Sequence, residues 1–88
     1  MIDLEPFKRA VREAIESLGL KPVENYVTLA EDIDAFCVRA WVDFGRTFVK
    51  VYIDNEVAYV AAQPGSRDAV VALVRKEIES GTHHQVHE

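Results

Sequence analysis

The chain has a single cysteine, Cys37, so no intrachain disulfide framework is open to it. No apolar run approaches the roughly 20 residues of a membrane-spanning helix. The acidic start Met1-Ile2-Asp3-Leu4-Glu5-Pro6 lacks the apolar core of a secretory leader. A cytoplasmic protein with a reduced thiol, bacterial, archaeal or viral, is expected. Positive charge is also scarce. Ten Lys and Arg stand against fifteen Asp and Glu, a net charge of −5. That argues against nonspecific nucleic-acid binding, whose affinity depends on cations at phosphates. Gly-rich phosphate loops, C-x-x-C pairs and a sensibly placed Ser, His and Asp set are missing too. The chain therefore reads as a non-enzyme with no cofactor.

What is present is one small domain of 88 residues, 49% of them apolar. That apolar content is too high for a disordered chain. Leu4, Phe7, Val11, Ile15 and Leu18 recur at spacings of three and four and form one helical stripe. Asp3 stands at its start, Pro6 in its first turn and Gly19 just past its end. Arg9–Glu13 and Arg12–Glu16 are placed as pairs on its wet side.

After Lys21-Pro22 the period becomes two. Val23, Val27 and Leu29 alternate with Glu24, Tyr26 and Thr28. In the strand from Phe36 to Phe44, residues Phe36, Val38, Ala40, Val42 and Phe44 share one face. Cys37, Arg39, Trp41 and Asp43 share the other. Gly45-Arg46 fits a two-residue hairpin turn. That turn sets Val42 against Val49, Trp41 against Lys50 and Arg39 against Tyr52. A further turn at Asn55-Glu56 starts a fourth strand, with Ala58, Val60 and Ala62 inward and Val57, Tyr59 and Ala61 outward. Pro64-Gly65 breaks the sheet, and Ser66 caps a last helix that ends at Gly81.

The expected fold class is α+β: a two-layer helix–four-strand antiparallel meander–helix with both helices on one face of the sheet. Residues 1–81 form the domain, and 82–88 form a polar, His-rich, flexible tail.

Several residue groups are candidates for function. Tyr26, Arg39, Trp41, Phe48, Lys50, Tyr52 and Tyr59 point away from the helices and together make an aromatic and cationic surface. Tyr, Trp and Arg are typical interface anchors, so a protein interface is expected there, a homodimer first and another protein partner second, with Trp41 and Tyr52 as central anchors. Rings and cations also suit unpaired bases and phosphates, which leaves single-stranded nucleic acid as the alternative. Glu31, Asp32, Asp34, Asp54 and Glu56 gather at one end of the meander. There they would meet a basic partner or, as a phage or viral inhibitor would, a host surface. Lys21, Arg46 and Arg67 gather at the other end. His83, His84 and His87 are weak metal candidates, because Gly81-Thr82 ends the helix that would have aligned them. Cys37 lies outward near Arg39 with no His to act as its base.

No motif names a family. In element order and acidity the chain resembles the type III secretion chaperone class, which implies a dimeric, protein-binding role. It resembles the double-stranded-RNA-binding domain less, since the last helix starts Ser66-Arg67-Asp68-Ala69 without that domain's lysines. The expected function is a small non-enzymatic adaptor, regulator or inhibitor that works through the outer face of its sheet.

Overall fold

The structure, a computed structural model, describes residues 2–86. The apolar stripe of the first segment becomes α1 (Glu5–Ser17). Phe7, Val11 and Ile15 are fully buried, and Leu4 and Leu18 pack at the margin. Each fully buried side chain of this size contributes about 1.5–3 kcal/mol. Asp3 lies one residue ahead of the cap and accepts the Glu5 N–H at 3.0 Å. The helix ends in a Schellman motif: Gly19 N–H donates to Glu16 C=O at 3.0 Å, and Leu20 N–H to Ile15 C=O at 3.2 Å.

Three strands follow: β1 (Lys21–Ala30), β2 (Ala35–Asp43) and β3 (Thr47–Asp54). Then come α2 (Asn55–Ala61), α3 (Arg67–Glu79) and finally β4 (Thr82–Gln85). The four strands form one antiparallel sheet in the order β1-β2-β3-β4. The helices pack on one another and on one side of that sheet. The architecture is therefore the expected two-layer α+β fold with a four-strand antiparallel sheet. No helix among the described residues is long and apolar enough to cross a membrane.

Two segments differ from the sequence reading. Residues 57–62, expected as the fourth strand, belong to α2 and its end. Asp54 caps that helix, its carboxylate accepting the Glu56 N–H at 2.9 Å. Ala58 and Ala61, three apart, are its buried residues, while Ala62, expected inward, is exposed. The fourth strand comes instead from Thr82–Gln85, expected as a flexible tail, which pairs with Thr47–Lys50. His87 and Glu88 lie outside the described residues.

Gly81 makes this fourth strand possible. A Cβ there would sit 2.5 Å from a Val51 methyl and 2.6 Å from a Val49 methyl. Only a residue without a side chain lets the chain drop from α3 onto the sheet at this point.

The β2–β3 hairpin also differs in detail. Arg46 N–H donates to Asp43 C=O at 2.9 Å, and Gly45, third in the turn, has φ +79°. This is the position where a type II turn needs a positive φ. The loop is three residues long, and Trp41 pairs with Phe48, Arg39 with Lys50 and Cys37 with Tyr52. Relative to the expected pairing the register moves by two residues. A move by two keeps every side chain on its face, whereas a move by one reverses the faces. Phe36, Val38 and Ala40 are accordingly buried against Val49, Val51 and Ile53, under the helices. Beyond Ala40 a bulge between Trp41 and Asp43 breaks the pattern. Val42 and Phe44, expected inward, are 41% and 71% exposed.

Candidate functional site

The register places one residue from each strand in a line across the open face: Lys21, Trp41, Phe48 and His84. The rings in that line touch. Trp41 meets Phe48 edge-on with centroids 6.2 Å apart, and Phe48 stacks on His84 at 5.4 Å. Phe44 comes out of the bulge onto the same side, 5.7 Å from Trp41, and the Lys21 ammonium lies 5.6 Å from its ring centre. Two residues further along the strands, about 7 Å away, lies a second line of Arg39, Lys50 and Thr82. A third line holds Thr28, Cys37 and Tyr52. The Lys50 ammonium is 6.0 Å from the Tyr52 ring centre. A cationic line thus runs between two ring-bearing lines.

Arg39 and Lys50 face each other directly, an arrangement that costs stability in a sheet. The ion pairs among the described residues are Arg12–Glu16 at 3.3 Å and Arg67–Glu13 at 2.7 Å, both in the helical layer. Arg39 and Lys50 have no carboxylate partner there. The Arg39 Nε is buried without a hydrogen-bond acceptor.

Of the seven residues expected on the outer face, Arg39, Trp41, Phe48, Lys50 and Tyr52 are brought together there. Tyr59 is not. It rides on α2, 60% exposed, and takes no part in the sheet. Tyr26 is not there either. Between Pro22 and Val27 the β1 strand carries extra residues relative to β2, and Asn25 takes φ +55° within that bulge. The bulge turns Tyr26 toward the helices, where its hydroxyl donates to the Lys8 carbonyl at 3.1 Å. Burial pushes that hydroxyl above its ordinary pKa of 10.0; Arg12 opposes the shift, and Glu5 and Glu16 add to it.

Phe44, Lys21 and His84 join the face without having been singled out for it. Phe44 adjoins Gly45, so its side follows the bulge rather than the alternation of β2. His84 arrives only through the pairing of β4.

The acidic residues gather at one end of the sheet. Asn55 N–H donates to Asp34 C=O at 3.2 Å, and the Asn55 side-chain amide donates to the Asp34 carboxylate. Asp54 pairs with Ala35 across the strands. Two of these carboxylates are therefore engaged locally, Asp34 in the turn and Asp54 in the cap. Glu31, Asp32 and Glu56 are exposed around them. Among the described residues no group of three or more His, Cys, Asp or Glu side chains is placed to hold a metal ion. In β4, His83 pairs with Val49 and His84 with Phe48, so the two imidazoles fall on opposite faces of the sheet.

The expected basic end divides. Lys21 stays beside the hairpin at Phe44. Arg67 is instead bound to Glu13 of α1, so Glu13 pairs across the helices rather than with Arg9. Ser66 does not cap α3 with its side chain; its hydroxyl donates to Gln63 C=O at 2.7 Å.

Comparisons with protein-family models, with curated proteins and with solved structures find no match to this chain.

Proposed function

We propose that this chain is a non-catalytic binding protein that docks a protein partner on the open face of its sheet. The observation that carries this reading is the ring cluster Phe44–Trp41–Phe48–His84, outside the core and beside unpaired cations. Contiguous exposed apolar surface marks interaction sites, and Trp, Tyr and Arg dominate interface energetics. The state of the rings favours protein over nucleic acid. Base stacking uses bare ring faces. Here His84 lies on Phe48, Lys21 over Phe44 and Lys50 over Tyr52. A second copy suits the face poorly when the two cationic lines meet, because Arg39 and Lys50 sit at the centre of the patch.

A photoreactive benzoylphenylalanine at position 44 tests the reading, with the same group at position 59 as the control. Both native side chains are well exposed, at 71% and 60%. In the cells that make the protein, covalent protein adducts are expected from position 44 and not from 59. Equal adducts from both, or none from 44, would remove the open face as the docking surface. Light scattering decides whether the partner is a second copy. A monomer is expected at tens of micromolar, on the order of concentrations where weak self-association shows. A dimer that Trp41→Ala splits would identify the chain itself as the occupant.

A further inference from the structure

We infer that the partner reaches the open face with an acidic segment, one or two Asp or Glu carboxylates flanked by apolar side chains, and seats those carboxylates on the Arg39–Lys50 line. The inference rests on the docking reading above and names the chemistry of the partner. Its basis is an imbalance in the free protein. Arg39 and Lys50 stand directly opposite each other. Neither belongs to an ion pair among the described residues.

Like charges across a strand pair repel. A carboxylate placed between the two cations relieves that repulsion. It accepts from the terminal guanidinium nitrogens of Arg39 and from the ammonium of Lys50. The rings on either side supply the apolar contact. Trp41, Phe48 and Phe44 lie toward the hairpin and Tyr52 lies beyond Lys50, each line about 7 Å from the cations. That spacing matches the step between same-side residues of an extended strand. An apolar–acidic–apolar segment laid along the strands therefore puts each side chain over its own line. A chain of phosphates fits less well, since the cationic line is one pair deep and the whole protein carries −5.

The test uses Trp41 emission as the reporter and three probes. The first is a synthetic peptide of about twelve residues with a central Leu-Ser-Glu-Ser-Phe, so that Leu, Glu and Phe share one face when extended; the length is on the order of one strand's span. The second is the same peptide with Gln in place of Glu, and the third is a thymidine oligonucleotide of equal length. The Glu peptide is expected to shift the emission saturably. Affinity should fall at least about tenfold with the Gln peptide, which is about 1.4 kcal/mol, and again with Lys50→Glu. Equal binding of both peptides would overturn the acidic inference while leaving the docking reading intact. Tighter binding of the oligonucleotide would overturn it in favour of nucleic acid. No response to any probe, together with no adducts from position 44, would remove both.

A readout without ligand keeps the inference testable. Lys50→Glu replaces a repulsion by a pair with Arg39, so the free protein should melt about 2–8 °C higher. An unchanged or lower midpoint would show that no imbalance exists there.

Discussion

Replacing Gly81 with alanine probes the joint on which the fourth strand depends. The new methyl would lie 2.5 Å and 2.6 Å from methyls of Val51 and Val49 and 3.2 Å from the Ile78 carbonyl. Ordinary carbon contacts are about 3.5–4.0 Å, so two contacts are roughly 1 Å too short. Val49 and Val51 are 1% and 7% exposed, and branching at Cβ leaves them few rotamers. Neither can yield without disturbing the core, and the Ile78 carbonyl blocks retreat toward α3. The strain has two outlets, a distorted core or a displaced β4. Overpacking of this kind costs about 1–3 kcal/mol. For a domain of this size that lowers the melting midpoint by about 4–24 °C. Thermal melts by circular dichroism measure the first outlet. Amide exchange at Val86, whose N–H donates to Arg46 C=O at 2.8 Å, measures the second. A displaced strand also takes His84 off Phe48, which changes the surroundings of Trp41 and its emission. A midpoint within about 1 °C of wild type, with the Val86 amide still protected, would mean that a methyl at position 81 meets no close contact with Val49 and Val51. A shift that small falls far below the loss expected from overpacking and would refute the reasoning.

Tyr26→Phe should cost about 0.5–1.5 kcal/mol through loss of the bond to Lys8. Its pH dependence is distinctive. Burial raises the folded-state pKa above 10.0, so this stabilising contribution is complete below pH 10 and lost as pH rises through the folded value. Melts above pH 10 should therefore fall more steeply for wild type than for the Phe variant, and parallel slopes would refute the buried hydroxyl. Asn55→Ala removes the side-chain bond between the Glu31–Asp34 turn and the start of α2 and leaves the backbone bond to Asp34 in place. It should cost about 1 kcal/mol, read as a midpoint lower by about 4–8 °C; exchange at the Ala35 amide would rise with it.

The expected faces of β2 and β3 hold although the expected turn does not. The reason is arithmetic: the three-residue loop and the bulge together move the pairing by two, and side chains alternate with a period of two. Trp41 remains outside for that reason alone. The α1 stripe was legible because Phe7, Val11 and Ile15 repeat over a full 13-residue helix. Residues 57–62 were not, because a short apolar run fits either period. The helical signals there were Asp54 two residues before Glu56, and Ala58 and Ala61 three apart. Tyr26 was misplaced because nothing in the alternation of β1 announces extra residues; only Asn25, tolerant of positive φ, hints at the bulge. Thr82–Gln85 carry no strand pattern. Their strand exists through contacts distant in sequence, the stack of His84 on Phe48 and the approach of Gly81 to Val49 and Val51. Within the open face, Arg39, Trp41, Phe48, Lys50 and Tyr52 follow from local alternation, while Phe44 and His84 depend on a turn and a late strand.

Because α2 and α3 lie between β3 and β4 in the chain, the last strand of the sheet is made well after the one it pairs with. At about 5–20 residues per second, β3 leaves the ribosome seconds before its neighbour. During that interval Thr47–Lys50 present an open strand edge, and Phe48 sits beside it without its imidazole. An unpaired edge is a site where nascent chains join one another. Crowded polysomes and slow synthesis should therefore raise aggregation of this protein more than its native stability would suggest.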